Sequence, residues 1–387
     1  MMEKTKQLCA IINLTEDTQA LKPLTNNRPV AGLPFASRYR IIDFQLSNIA
    51  HADIDSVGLF ISGSGRSIYD HVRSGTSWYF DNDISGGVFT FSQRDWKAAH
   101  HLEEQHEDFY YDYRLFLSRS RAEHVFVSGS SIIANLDIQA ALRFHTEHDA
   151  DITFVYKTNP REALSQELSK ARAVVFDDEG EVEKFMPYDD LNGEEMVRAS
   201  MGMYLISVDT MLEIIRRAMK DEVYLELDDL IERYILDYQA RGYEYTGYLA
   251  TIDSVKSYYD ANMALLDRAN FNSLLYASNP VLTKTKNGVP AYYAPTSKVT
   301  DSIIATGVHL EGEVDHSIVY RKVNVAKDAV IKNSILLQGV TVEEGAQIEY
   351  AILDKKCVVK AGARIIGNPD NPVVISKNTI VASQEGD

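Results

Sequence analysis

From residue 8 to about residue 270, short apolar runs alternate with longer amphipathic segments. Residues 8–12, 57–61, 124–127, 152–156, 173–176 and 203–206 have the length and aliphatic content of buried strands. Residues 40–51, 138–148 and 210–220 place apolar side chains three and four apart, which predicts helices. Strands alternating with helices imply an α/β domain on a mostly parallel sheet. In such sheets ligands sit beyond the carboxyl ends of the strands. The loops after Ile12, after Val127 and near Tyr248 are therefore where a site is expected.

The last ninety or so residues follow another rule. Val308, Val325, Val342 and Val359 recur at intervals of 17, as do Val314, Ile331, Ile348 and Ile365, and Ala329, Ala346 and Ala363. A fixed period near this length, with an aliphatic every five or six residues, suits a coil of three short strands stacked on its neighbours. An antiparallel sandwich demands no fixed period. The pattern predicts a Rossmann-like α/β domain over 1–270 and a linker within 271–297. A left-handed parallel β-helix is expected over 298–387, its coils ending near residue 382. Residues 279–297 hold four prolines and glycines, as a linker would.

Composition narrows the function classes. The chain has 387 residues, 45% hydrophobic and 25% charged, as in ordinary globular proteins. No run approaches the roughly eighteen apolar residues of a membrane span. The apolar stretch 8–12 is too short for a secretion signal. Cys9 and Cys357 have no metal-ligand spacing, so neither a zinc site nor a disulfide framework is expected, and a cytoplasmic location is. A formal charge of −17 argues against a nucleic-acid partner. It does not argue against a small phosphorylated ligand met by a local basic cluster.

The string Ser37-Arg38-Tyr39-Arg40-Ile41-Ile42-Asp43-Phe44-Gln45-Leu46-Ser47-Asn48 resembles the "KYRIIDFPLSN" signature of bacterial glucose-1-phosphate adenylyltransferases. Lys22-Pro23-Leu24-Thr25 is similar to that family's "xPLT", and Ala199-Ser200-Met201-Gly202-Met203-Tyr204 to its "ASMGIY". Thr251-Ile252-Asp253-Ser254 and Asp260-Ala261-Asn262-Met263 are similar to "GTIDS" and "EANM". The resemblance implies a nucleotidyltransferase domain with a terminal β-helix. It also implies a link to glycogen biosynthesis, where such enzymes make ADP-glucose from ATP and glucose 1-phosphate.

The residues that such chemistry needs are replaced. The family's "GGxGxRLxPLT" lets backbone N–H groups close on a triphosphate; here the stretch reads Thr15-Glu16-Asp17-Thr18-Gln19-Ala20-Leu21-Lys22-Pro23-Leu24-Thr25. Glu16 and Asp17 set two carboxylates against a polyanion, and Ala20 stands where the family has an arginine. Magnesium would need carboxylates, but the resemblance puts Ser130 and Tyr248 at those positions. Val30 takes the place of one active-site lysine. The sugar-phosphate lysine falls at Pro187 or a neighbour, with Lys184 as a displaced substitute. The chain thus resembles the family's non-catalytic, regulatory-type subunits, with no magnesium and no catalytic residue of its own. Its expected partner is a catalytic homologue, in a hetero-oligomer of tetramer size. A divergent but active adenylyltransferase is the alternative.

Arg28, Arg38 and Arg40 form a basic group in an acidic chain. Arg28 and Arg40 match family positions near a sugar-phosphate activator site, so an effector such as a phosphorylated hexose is one expectation. Pairing with Asp43, or with an acidic face of another subunit, is the other. His100, His101 and His106 lack the flanking ligands of a metal site. The aromatic run 108–113 is read as a packing or interface surface. His309 and His316 stand apart in sequence and give no acyltransferase base.

Overall fold

The computed structural model describes residues 6–16, 18–62, 65–80, 86–93, 109–161, 172–177, 180–187, 190, 195–277 and 279–383. Contacts divide the chain into two compact units. The first holds Met1–Glu16, Phe44–Leu249 and Ser278–Leu282; the second holds Asp17–Asp43, Ala250–Ala277 and Thr283–Asp387.

The first unit is built on a nine-stranded sheet. Its central strand, Lys6–Leu14, pairs in parallel with Ser56–Ser62 on one side and Ala122–Gly129 on the other. Gly87–Gln93 extends the parallel edge, and Met196–Ser207 runs antiparallel beside Ala122–Gly129. Ile152–Pro160 and Arg172–Phe176 both pair antiparallel with Met196–Ser207. Cys9, Ala10, Ile11 and Ile12 are all fully buried, because helices cover both faces and an apolar run needs no alternation.

The helices form where period and caps agree. Ile138–Glu147 starts at Asp137, whose carboxylate accepts the Ala140 N–H at 2.9 Å. Val208–Lys220 starts at Ser207, which accepts the Thr210 N–H at 3.0 Å, and buries Val208, Met211, Ile214, Ile215 and Ala218 on one face. Tyr110 and Tyr113 of the aromatic run are core residues: Tyr110 donates to the Leu225 carbonyl and Tyr113 to Asn13 Oδ1. Asp108, like His100, His101 and His106, lies outside the described residues.

In the second unit the chain coils through three parallel sheets, of six, five and five strands, as the hexapeptide pattern requires. Val314, Ile331, Ile348 and Ile365 stack in register, one above the next. Left-handed residues turn the corners in columns: Gly307, Lys322, Gly339 and Lys356 form one, Asp301, His316, Asn333 and Tyr350 another. The coils begin at Tyr292–Tyr293, six residues before the expected start.

One expected column is corrected. Val325 stacks on Leu310, and Val342 on Val325. Val308 instead lies over Val323, since the Tyr292 N–H meets the Val308 carbonyl and the His309 N–H meets that of Val323. The corner at Gly312 is two residues shorter than its counterparts in the next coils, so the repeat slips there. Only glycine fits it: a Cβ would stand 2.4 Å from the Ala329 carbonyl oxygen.

The grouping of 17–43 and 250–277 with the coils, rather than with residues 1–270, also has a cause. Ile318, Ile335 and Ile352 alternate with the inward-facing Val319, Leu336 and Leu353, yet are fully buried. They are covered from outside. Tyr259 of helix Val255–Met263 donates to the Asn333 carbonyl at 2.6 Å, and Asn262 Oδ1 accepts from the Ala36 N–H at 3.1 Å. Tyr258 donates to the Pro34 carbonyl at 2.6 Å, tying the hairpin Pro34–Phe35/Tyr39–Arg40 to the same helix.

Candidate functional site

Two of the three loops singled out by the strand ends meet. The strand Lys6–Leu14 delivers Glu16, and Ala122–Gly129 delivers Ser130. Glu16 Oε1 accepts the Ser130 N–H and, at 3.0 Å, the Ser131 N–H; Oε2 accepts the Ser130 hydroxyl at 3.0 Å. Glycine precedes this turn, and a Cβ on Gly129 would come within 3.2 Å of Glu16 Oε1. The preceding Thr15 hydroxyl donates to Glu226 at 2.7 Å. Burial raises the Glu16 carboxyl to about 7 although its hydrogen bonds to Ser130 oppose the shift, and Asp228 adds to the rise. Glu16 therefore does not project toward a bound polyanion as the sequence suggested; it is bonded to the Ser130 turn. Asp17 lies outside the described residues.

The third loop carries Tyr248. Its phenol is pushed up to about 12 by burial. Its carbonyl accepts the Tyr245 hydroxyl, which in turn accepts the Asn135 N–H. Lys157 donates to the Gly247 carbonyl. Lys184 is exposed, on the strand Val182–Pro187, and so is Pro187. Magnesium needs anionic oxygen donors. A serine hydroxyl already committed to Glu16 and a half-buried, protonated phenol do not fit it.

Ala20 and Val30 belong to the second unit. Ala20 is exposed in the turn Gln19–Leu21, and Val30 is buried in the turn Val30–Gly32. Neither can contribute charge.

The basic group also lies in the second unit. Arg28 is buried, with Nη2 at 2.6 Å from Asp354 and Nε at 2.8 Å from the Leu24 carbonyl. Its partner is thus neither Asp43 nor another subunit, and sequence reading missed it because Asp354 lies 326 residues away. Asp43 instead accepts the Arg40 N–H at 3.0 Å and the Thr283 hydroxyl at 2.5 Å. Arg38 is exposed and lies over the Tyr39 ring.

Three further cations gather here. Lys355 is lowered to about 7 by burial and then by Arg28 and Arg40, with Asp354 opposing. Lys286 is lowered by desolvation and then by Arg40 and Arg321. Arg38 is not among the charges acting on either lysine. A signal for these residues was present: Arg321, Gln338 and Lys355 are 17 apart, so they occupy one corner of successive coils. The result is a dense positive patch from Arg28, Arg40, Lys286, Arg321 and Lys355, chemically suited to a phosphate.

Comparison with known proteins adds to this picture. The nucleotidyl transferase family model matches residues 18–268, and a model for the GlmU-like C-terminal hexapeptide region matches residues 290–381. The chain belongs to the nucleotidyl transferase family. Within it, similarity runs to the glycogen biosynthesis protein GlgD of Geobacillus stearothermophilus, 30% identical over 84% of this chain and 83% of that protein. The GlgD of Bacillus subtilis is 28% identical over the same shares. A glucose-1-phosphate adenylyltransferase of Fusobacterium nucleatum is 26% identical over 86% of this chain and 85% of its own length. Within that family the chain therefore groups with GlgD proteins and glucose-1-phosphate adenylyltransferases. Among its described residues no helix is long and apolar enough to cross a membrane.

Proposed function

We propose that this chain is a non-catalytic, regulatory subunit of a glucose-1-phosphate adenylyltransferase in cytoplasmic glycogen biosynthesis. It partners a catalytic homologue that makes ADP-glucose from ATP and glucose 1-phosphate, in a hetero-oligomer of tetramer size. One observation carries the reading: at the family's metal positions stand Ser130, bonded to Glu16, and the half-buried Tyr248. Nucleotidyl transfer depends on positioned cations and metal to hold developing phosphate charge. Ala20, Val30, Ser130 and Tyr248 offer none of it.

The basic patch supports a regulatory role. Arg40, Lys286, Arg321 and Lys355 crowd together, and a sugar phosphate brings the anion that relieves their repulsion. Arg28, paired with Asp354, holds the shape of the patch.

A second reading, a divergent but active enzyme, is favoured only by the carboxylate that Glu16 brings to the Ser130 turn. One assay separates the two. The chain alone, given ATP, glucose 1-phosphate and magnesium, is expected to form no ADP-glucose above background. Added to its catalytic homologue, it is expected to co-purify and to change the response to fructose 6-phosphate or fructose 1,6-bisphosphate. Turnover by the isolated chain at the rate of a family enzyme overturns the proposal.

A further inference from the structure

The Ser130–Ser131 turn offers two backbone N–H groups and a hydroxyl, all aimed at one carboxylate. Adjacent backbone N–H groups with a hydroxyl form a cradle for an anion, and phosphoryl oxygens are its common occupant. A buried carboxylate is costly to desolvate. Here three hydrogen bonds repay part of that cost, and Gly129 leaves room for the close approach of Oε1. The carboxylate does not come from the turn itself. It comes from 114 residues earlier, at the head of the loop that in family members closes on the nucleotide.

We propose that Glu16 is a built-in occupant of an anion cradle formed by Ser130 and Ser131, and that its carboxylate keeps phosphoryl groups out. The inference rests on the non-catalytic reading above and gives it a physical device: the pocket is stoppered as well as stripped of metal ligands. Withdrawing the side chain leaves three inward-facing donors that a pyrophosphate or a nucleotide phosphate can take. Asp228 faces Glu16, and Glu226 is tied to the neighbouring Thr15 hydroxyl, so the incoming phosphate meets a negative wall. Its binding in the opened cradle is therefore weak rather than enzyme-like.

The test uses the full chain labelled with ¹⁵N-serine, so that binding at the turn is read apart from binding at the basic patch. Inorganic pyrophosphate and ATP are titrated separately, without metal, into wild type and Glu16→Ala. In wild type the Ser130 and Ser131 amide signals are expected to stay in place. In Glu16→Ala they are expected to move with saturation, at an apparent Kd at least about tenfold below any wild-type value. Movement with pyrophosphate but not ATP supports a bare phosphoryl cradle, and movement with both supports a cradle open to nucleotide. A folded Glu16→Ala chain whose two signals ignore both ligands overturns the inference, as does a wild-type chain that binds equally well at the turn. ADP-glucose formation by the wild-type chain overturns the parent reading instead, so the two failures are distinct. If Glu16→Ala does not fold, wild type labelled with ¹³C-glutamate decides. With the ¹⁵N-serine label also present, Ser130 and Ser131 amide signals that move together with the Glu16 carboxyl as pH changes support the seat, and amide signals that ignore it overturn the inference.

Discussion

Arg28 and Asp354 form a buried ion pair at 2.6 Å, with side-chain exposures of 8% and 5%. Asp354 also accepts the N–H of Lys355 at 2.7 Å, and Arg28 also bonds the Leu24 carbonyl, so neither charge is idle. Removing one partner strands the other in low dielectric. Asp354→Ala is expected to destabilise the protein by roughly 3–5 kcal/mol. The double change Arg28→Met with Asp354→Leu, which strands nothing, is expected to lie closer to wild type. Urea unfolding of the three chains checks the ordering; a single substitution milder than the double contradicts it.

Restoring a family residue should harm this chain. Ser130→Asp places a second carboxylate against Glu16 and removes the hydroxyl that donates to it. Like charges sharing a buried site repel, and a lost donor leaves Glu16 undersatisfied. A loss of about 2 kcal/mol or more is expected. The addition of Glu16→Gly is expected to recover most of it. Thermal melts of both variants at pH 8, where the carboxyls are ionised, provide the measurement.

Two carboxyls set the direction of pH dependence. Burial raises Glu16 and Glu232 to about 7, although Arg172, at 2.6 Å from Glu232, opposes the second shift. Between the ordinary carboxylate range and pH 7 the folded state therefore keeps protons that the unfolded chain has lost. Stability due to these groups is full below that range and falls as pH climbs to 7. His145, lowered to about 4 by burial and His124, works the other way between pH 4 and 6.5. Two carboxyls outweigh one imidazole below pH 7, so a net fall is expected up to there; above it Lys355, lowered to about 7, acts in the opposite direction. Glu16→Gln and Glu232→Gln should each flatten the slope of stability against pH, read by urea midpoints from pH 5 to 8. Unchanged slopes count against both shifts.

How much was legible depended on the range of the interaction. The strands at 8–12, 57–61 and 124–127 and the helix at 210–220 were readable because period and composition are local signals. The coils were readable because Ile331, Ile348 and Ile365 repeat. The slip at Gly312 was not, because Val308 kept the interval of Val325, Val342 and Val359 by coincidence while a shortened corner moved Leu310 into the stack. The family's ligand set could be seen to be replaced from single positions such as Ser130 and Tyr248. The contacts that replaced it could not: Glu16 with Ser130 and Arg28 with Asp354 join residues more than a hundred positions apart, with no motif linking them.

The same corner gives a sharp contrast between glycines. Gly345 is left-handed, with φ +67°, but nothing lies within 4 Å of its missing Cβ. Gly345→Ala should cost only backbone strain, about 1–2 kcal/mol. At Gly312 a Cβ would lie 2.4 Å from one carbonyl oxygen and 2.7 Å from another, both backbone, so the coil itself must move. Gly312→Ala is expected to exceed Gly345→Ala in cost, with the difference visible in the melting temperature. Equal melting temperatures would mean that the corner yields freely.

The basic patch offers a prediction about ligands that separates its arginines. Arg40 acts on both Lys286 and Lys355, whereas Arg38 is exposed over the Tyr39 ring and acts on neither. A phosphate held by the patch gains from each desolvated cation and little from an exposed one. Arg40→Ala, at a half-buried side chain, is expected to weaken fructose 1,6-bisphosphate binding by about tenfold or more, and Arg38→Ala, at an exposed one, by less than about threefold. Lys355, lowered to about 7, must take up a proton to serve the anion at higher pH, so affinity should decline as pH rises from 6.5 to 8.5. Calorimetry across that interval measures both effects. Equal losses from Arg38→Ala and Arg40→Ala would place the phosphate outside the patch.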